Sequence, residues 1–294
     1  MFYNRDIVLT RYLYNKNEVK ISLLLSLLDI DSKESMFWAY ELYFSGFQYE
    51  VLEYLLKIYE EIYESKNKRL RNFILENIEK WKNDNTQHYI LGSIVMTMTK
   101  RQYDITPFII SHFKIKCHQV ENKPQNSKPI LVYLTEKDIG TYNTIDITGY
   151  GAWKILRNTI LYPIRKEINR LFNIIPVYNI DIIYSKMDNW IYYAAKSPIW
   201  NDRIKEFDGI INNETKTVDF KNDYLMDAFS DKWNYDMDEQ PGELKDYIYR
   251  GIPLVKELSL NEFAMIYGVN VLIRKVKIIE SFDTKELTNS LTCM

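Results

Sequence analysis

Between Ser32 and Phe44 the apolar residues Met36, Phe37, Tyr40, Tyr43 and Phe44 recur at intervals of three and four, which predicts a helix with one apolar face. Asp31 or Ser32 is suited to cap its start, with Glu34 or Ser35 in the first turn, and Gly46 to end it in a left-handed conformation. A second stripe, Val51, Leu52, Leu55, Leu56, Tyr59, Ile62 and Tyr63, carries Glu53, Lys57, Glu60, Glu61 and Glu64 on its outer side. After the polar break at Ser65, Lys66 and Asn67, a third helix holds Leu70, Phe73, Ile74, Ile78 and Trp81. Thr86 is placed to cap a fourth, with Tyr89, Ile90, Ile94 and Met98. Short connections set successive helices antiparallel, and each apolar face is too broad for one neighbour to cover. Residues 1–100 are therefore expected to form a stacked array of antiparallel helical hairpins, with an irregular bundle as the plainer alternative.

The period changes beyond Arg101. Phe113, Ile115 and Cys117 alternate with Lys114, Lys116 and His118, and a turn-rich stretch from Asn122 to Pro129 precedes Ile130 to Leu134, which predicts a two-stranded insert. Residues 135–151, rich in Thr, Asn and Gly, read as a linker, so the chain divides into 1–100, a β insert and linker at 101–149, and an α+β region at 150–294. A long helical pattern runs from Ala152 to Phe172, kinked or restarted at Pro163. Helices are expected over Trp190–Lys196 and Pro198–Phe207, a hairpin over Gly209–Phe220 turning at 212–215, and further helices over Asp223–Trp233, Pro241–Arg250 and Ser259–Tyr267. Val269 to Ile279 reads as a strand and Glu280 to Met294 as a polar tail. The fold class is mainly α, with an α+β C-terminal half containing small β hairpins.

The 294 residues are 46% hydrophobic and 27% charged with a net charge of -2, so nothing global draws the chain to nucleic acid or an anionic membrane. The run from Ile21 to Leu28 is too short to span a bilayer and ends at Asp29. Two cysteines far apart, Cys117 and Cys293, point to a reducing compartment rather than a disulfide framework. The 24 tyrosines, with abundant Ile, Asn and Lys and scarce alanine, suggest an A/T-rich genome.

No nucleophile elbow, phosphate-binding glycine loop or zinc-protease signature is present, and no cofactor is expected. His112, Cys117 and His118 are the one His/Cys cluster, but on a strand the two histidines share a face that the cysteine does not, so no metal site is assigned. Asp223, Asp227 and Asp231 recur every fourth residue opposite Met226, Phe229 and Trp233. They are a candidate metal-binding acidic surface, or simply the solvated face of an amphipathic helix. Charge is uneven: residues 219–246 hold nine acids against three lysines, a balance of -6. Residues 151–172 hold Lys154, Arg157, Arg165, Lys166 and Arg170 against Glu167, a balance of +4. That basic helix is a candidate surface for phosphates or an acidic partner, and its plainer reading is pairing with the acidic segment.

Two stretches carry a resemblance. SMFWAYELYFSGFQYEVLEYLLKIY (35–59) and WIYYAAKSPIWNDRIKEFDGIINNETKTVDF (190–220), the latter followed by YDMDEQ (235–240), resemble an uncharacterised protein family of giant viruses, the nucleocytoplasmic large DNA viruses. The resemblance implies host cytoplasm or the viral factory as location and transfers no catalytic residue. The helical array is similar in architecture to HEAT-type scaffolds such as eIF4G of translation initiation. The tyrosine-led helix that meets the cap-binding partner of such scaffolds has only near matches, Tyr89 with Ile94 and Val95, and Tyr150 with Ile155 and Leu156. The expected function is a non-enzymatic scaffold that binds protein partners. Alternatives are a nucleic-acid-associated replication or transcription factor touching RNA or DNA, a metal-dependent enzyme using the acidic helix, and a virion protein. No membrane is expected, and the oligomeric state is left open.

Overall fold

The run from Ile21 to Leu28 lies inside the first helix. The computed structural model of the protein describes residues 7–115, 117–119, 130–143, 156–157, 159–172, 189–233, 235, 240–250 and 256–271. Helix α1 (Lys16–Leu28) starts at Asn15, whose side chain accepts the Asn17 N–H at 3.0 Å, and all of Asn17 to Leu28 is buried. A helix enclosed on all sides needs no polar face, so its sequence shows a run instead of a stripe. Helix α2 (Ser32–Phe44) is capped by Asp31, which accepts the Lys33 and Glu34 N–H groups at 3.0 Å each. It is the centre of the helical half. Ser35 to Tyr43 are buried without interruption, and α2 packs on α1, on α3 (Gln48–Ile58) and on α5 (Tyr89–Met98).

Helix α3 passes into one π turn at Tyr59–Tyr63, closed by the Glu64 N–H on the Tyr59 carbonyl at 2.9 Å, and α4 (Leu70–Asn83) follows. Thr86 does not cap α5. Asp84 takes the Thr86 N–H at 3.1 Å and its hydroxyl at 2.6 Å, which ties residues 84–87 into a turn and delays the helix to Tyr89.

Gly46, at φ +96°, turns the chain from α2 into α3 and lies against Pro198, where a Cβ would stand 2.4 Å from the proline Cβ. Gly46→Ala is therefore expected to lose about 2 kcal/mol or more, from left-handed strain and overpacking together. Urea denaturation measures this directly, and an unchanged midpoint would mean that the turn relaxes freely.

The expected insert between 113–117 and 130–134 does not form. Pro107 opens helix α6 (Thr106–Phe113), and Lys114 at φ 50° ends it, so the alternation at 113–118 straddled a helix end and a strand. Strand β1 (Cys117–Gln119) pairs antiparallel with the last described strand, Val269–Val271, with Cys117 opposite Val271. The long helix expected from Ala152 is also absent as such: among the described residues, 160–166 follow an irregular path, and a 3₁₀ turn, Asn169–Phe172, comes after them. Pro163 lacks the N–H that an unbroken helix requires.

The remaining elements follow the sequence closely: α7 (Trp190–Ala194), α8 (Pro198–Lys205), a hairpin of β2 (Ile210–Asn212) and β3 (Thr217–Asp219), α9 (Asp223–Lys232), α10 (Gly242–Lys245), a π turn at Asp246–Arg250, α11 (Leu260–Ile266) and β4 (Val269–Val271). Ser259 and Glu262 form a reciprocal cap on α11, and the hydrogen bond from Lys256, together with those of Ser259, holds the Glu262 carboxyl down to about 2. The expected strand beyond Val271 and the tail from Glu280 lie outside the described residues.

The loop of residues 8–15 joins the helical half to α7 and α8. The Leu9 N–H donates to the Tyr193 carbonyl at 3.2 Å, and Trp200 Nε1 donates to the Thr10 carbonyl at 3.0 Å. Arg11, on this loop, donates from Nε to Glu41 of α2 at 2.9 Å, and both side chains are closed from solvent.

Candidate functional site

The five basic residues expected to share a surface are dispersed. Lys154 lies outside the described residues, and Arg157 is exposed. Because the chain around Pro163 follows an irregular path, Arg165 and Lys166 turn to different neighbours. Arg165 reaches Asp29 at 2.7 Å, Glu167 at 3.1 Å and Glu34 at 3.7 Å. Burial opposes its charge, but these three carboxylates outweigh it and hold the guanidinium above its ordinary range. Lys166 is buried, with its amine 3.4 Å from Glu18. Arg170 is open to solvent and 3.1 Å from Glu257. Among the described residues, the positive charge of this segment answers Glu18 of α1, Asp29 just beyond it, Glu34 of α2, and Glu167 and Glu257.

Asp223, Asp227 and Asp231 are exposed on α9, while Phe229 is buried between Phe207 and Phe220. Met226, expected on the buried face, is 45% exposed. Among the described residues no three His, Cys, Asp or Glu side chains converge as a metal site. His112 is on helix α6 and not on a strand, with Nε2 2.9 Å from Glu61. Ile94 and Val95 of the near-matching tyrosine motif are in the core, out of a partner's reach, and Tyr150 and Ile155 of the other match lie outside the described residues.

One arrangement went unread in the sequence. Residues 130–134 run extended along α5, held by side chains of that helix. The Val132 N–H donates to Thr97 Oγ1 at 2.9 Å, and the Leu134 N–H donates to Ser93 Oγ at 2.9 Å. Ser93 and Thr97 stand one helical turn apart, about 6 Å, which nearly matches the two-residue repeat of an extended chain, about 6.6 Å. Leu134 fits over Gly92, where a Cβ would approach Leu134 Cδ1 to 2.9 Å and the Tyr40 hydroxyl to 2.7 Å. Thr135 and Asp138 then cap a 3₁₀ helix, Glu136–Tyr142, which anchors the strap: Ile139 is fully buried, and Tyr142 stacks on Tyr40 at 5.2 Å. Burial pushes both of those phenols above their ordinary range.

In an extended chain, alternate residues turn their N–H and C=O groups to opposite edges. The N–H groups of Val132 and Leu134 and the Val132 carbonyl, which accepts the Thr97 hydroxyl at 3.4 Å, are spent on α5, so the groups of Leu131 and Tyr133 face the other way, and no backbone hydrogen bond is made there among the described residues. On this outer side Leu131 is 40% and Tyr133 68% exposed, and the Tyr133 ring rests edge-on against Phe73 at 5.6 Å. The strap is a short extended segment with one edge bound to α5 and, among the described residues, one open edge, which is the chemistry of strand addition by a second chain.

No protein-family model, curated protein or solved structure matches the chain. Among the described residues no helix is long and apolar enough to cross a membrane.

Proposed function

We propose that the protein is a non-enzymatic helical scaffold of a large DNA virus that binds protein partners, and that the 130–134 strap on α5 is where an extended partner segment adds. The observation that carries this reading is the open backbone edge of Leu131 and Tyr133, flanked by their exposed side chains on a rigid helical support. The viral origin rests on the resemblance of residues 35–59 and 190–220. Translation initiation is one setting for such a scaffold, on architecture alone, and packaging in the virion is another. A nucleic-acid role has less support, since Arg165 and Lys166 are engaged by carboxylates of the same chain.

Peptide-library selection against the full chain tests the site. Selected peptides are expected to be extended and apolar at alternate positions, and to protect the Leu131 and Tyr133 amides from hydrogen exchange. Replacing both residues by glutamate should weaken binding at least tenfold with little change in melting temperature, because neither side chain is in the core. Binders that protect other amides, or that hold the double variant equally well, would defeat the assignment.

A further inference from the structure

The last turn of α8 carries a buried positive charge that no carboxylate answers among the described residues. Arg203 is 6% exposed, and its guanidinium lies 3.9 Å above the Trp233 ring and 4.4 Å above the Trp200 ring. The two indole faces offset part of the loss of water. They do nothing for the N–H groups in the guanidinium plane, and Nη1 is closed from solvent with no acceptor. A buried donor left in this state costs the full price of its desolvation.

The surroundings repeat the deficit. Trp233 Nε1, the Tyr235 hydroxyl and Arg11 Nη1 are also closed from solvent and have no hydrogen-bond partner among the described residues. The rings of Trp200, Trp233 and Tyr235 adjoin one another, with centroids 5.4 to 6.4 Å apart. Glu41, the acid of this region among the described residues, already takes Arg11 Nε at 2.9 Å and the Tyr12 N–H at 3.0 Å. Among the described residues, two guanidiniums against one carboxylate leave a net charge of +1, beside donors in want of an acceptor. Burial lowers Arg203 to about 10, which leaves it charged at neutral pH. Burial also raises Tyr235 above its ordinary value, so the phenol keeps its proton and cannot serve as the counter-charge.

We propose that Arg203, with Trp233 Nε1 and the Tyr235 hydroxyl, holds a buried monovalent anion of about chloride size. One negative charge balances the excess. A sphere accepts N–H and O–H bonds from several directions, as these donors require. Each donor atom is sealed from solvent, which disfavours a bulky organic acid. The site is independent of the strap and of the function read from it.

The test is thermal unfolding of the full chain at constant ionic strength, with chloride exchanged for the large, weakly coordinating gluconate. The melting temperature of the wild type is expected to rise saturably with chloride, by roughly 5 °C at a hundredfold excess over Kd. Arg203→Met should be at least as stable as the wild type in gluconate, because it removes an unanswered buried charge, and should show no chloride response. Tyr235→Phe, a milder change, should keep the fold and weaken the response several-fold. Bromide soaked into crystals should give an anomalous peak beside Arg203. A response to acetate equal to that to chloride would identify a carboxylate as the occupant and sustain the monoanion. Equal responses in wild type and Arg203→Met, a stronger effect of sulfate than of either monoanion, or bromide only at the surface would overturn the proposal.

Discussion

Above pH 10 the protein is expected to unfold cooperatively within little more than one pH unit. Burial pushes the phenols of Tyr14, Tyr40, Tyr54, Tyr63, Tyr235 and Tyr267 above their ordinary values, and raises Tyr43 to about 12 even though the Trp81 indole, donating to its oxygen at 2.7 Å, favours the phenolate. A phenol raised in the fold keeps its proton while the unfolded chain releases it near pH 10. The unfolded state then binds fewer protons, and stability falls from the unfolded pKa until the folded pKa is passed. Each such tyrosine loses about 1.4 kcal/mol per pH unit, so the seven together lose about 10 kcal/mol per unit. That is comparable to the whole stability of an ordinary domain, about 5–15 kcal/mol. Helical ellipticity and phenolate absorbance should therefore change together, with a shared midpoint near about pH 11. Smooth ionisation of all the tyrosines around pH 10 with helicity intact would show that these phenols reach water in the native state.

Elements with a solvated face were legible in the sequence, because their polar and apolar positions separate. α9 with its aspartates outward, the 210–219 hairpin and the cap on α11 are of this kind. Helix α1 left no stripe because it is enclosed, and α2, expected to have one apolar face, is buried on every side from Ser35 to Tyr43. The β1–β4 pair was illegible for a different reason. Its strands have three described residues each and are some 150 residues apart, so no local pattern links them. Site reading failed in the same way. The excess of positive charge at 151–172 was visible, but that Arg165 and Lys166 turn toward Asp29, Glu34 and Glu18 depends on an irregular path around Pro163 that periodicity does not encode. The strap depends on two hydroxyls of α5, Ser93 and Thr97, which in sequence look like polar interruptions of an apolar helix.

Glu41→Gln is expected to destabilise the protein by about 3–5 kcal/mol, with a fall in melting temperature of roughly 10 °C. The glutamine can still accept the Tyr12 N–H, so what is lost is the charge that answers Arg11, which is 2% exposed, with Arg203 nearby and without a carboxylate partner among the described residues. The pair itself need not be stabilising. Burial holds the Glu41 carboxyl above its ordinary value even though Arg11, Thr10 and the Tyr12 amide all favour its charged form, so the partners do not make up the whole cost of desolvation. It follows that Arg11→Met combined with Glu41→Gln should recover most of what either change loses alone, with a coupling of about 2 kcal/mol or more in a double-mutant cycle read by urea denaturation. Strictly additive losses would mean that the two side chains act separately and that the seam between α2 and the 8–15 loop is held by packing. The cycle also bears on Arg203. With Glu41 neutral the region carries two unanswered guanidiniums, so the loss in Glu41→Gln should be smaller in chloride than in gluconate, and that difference should vanish when Arg203→Met is added.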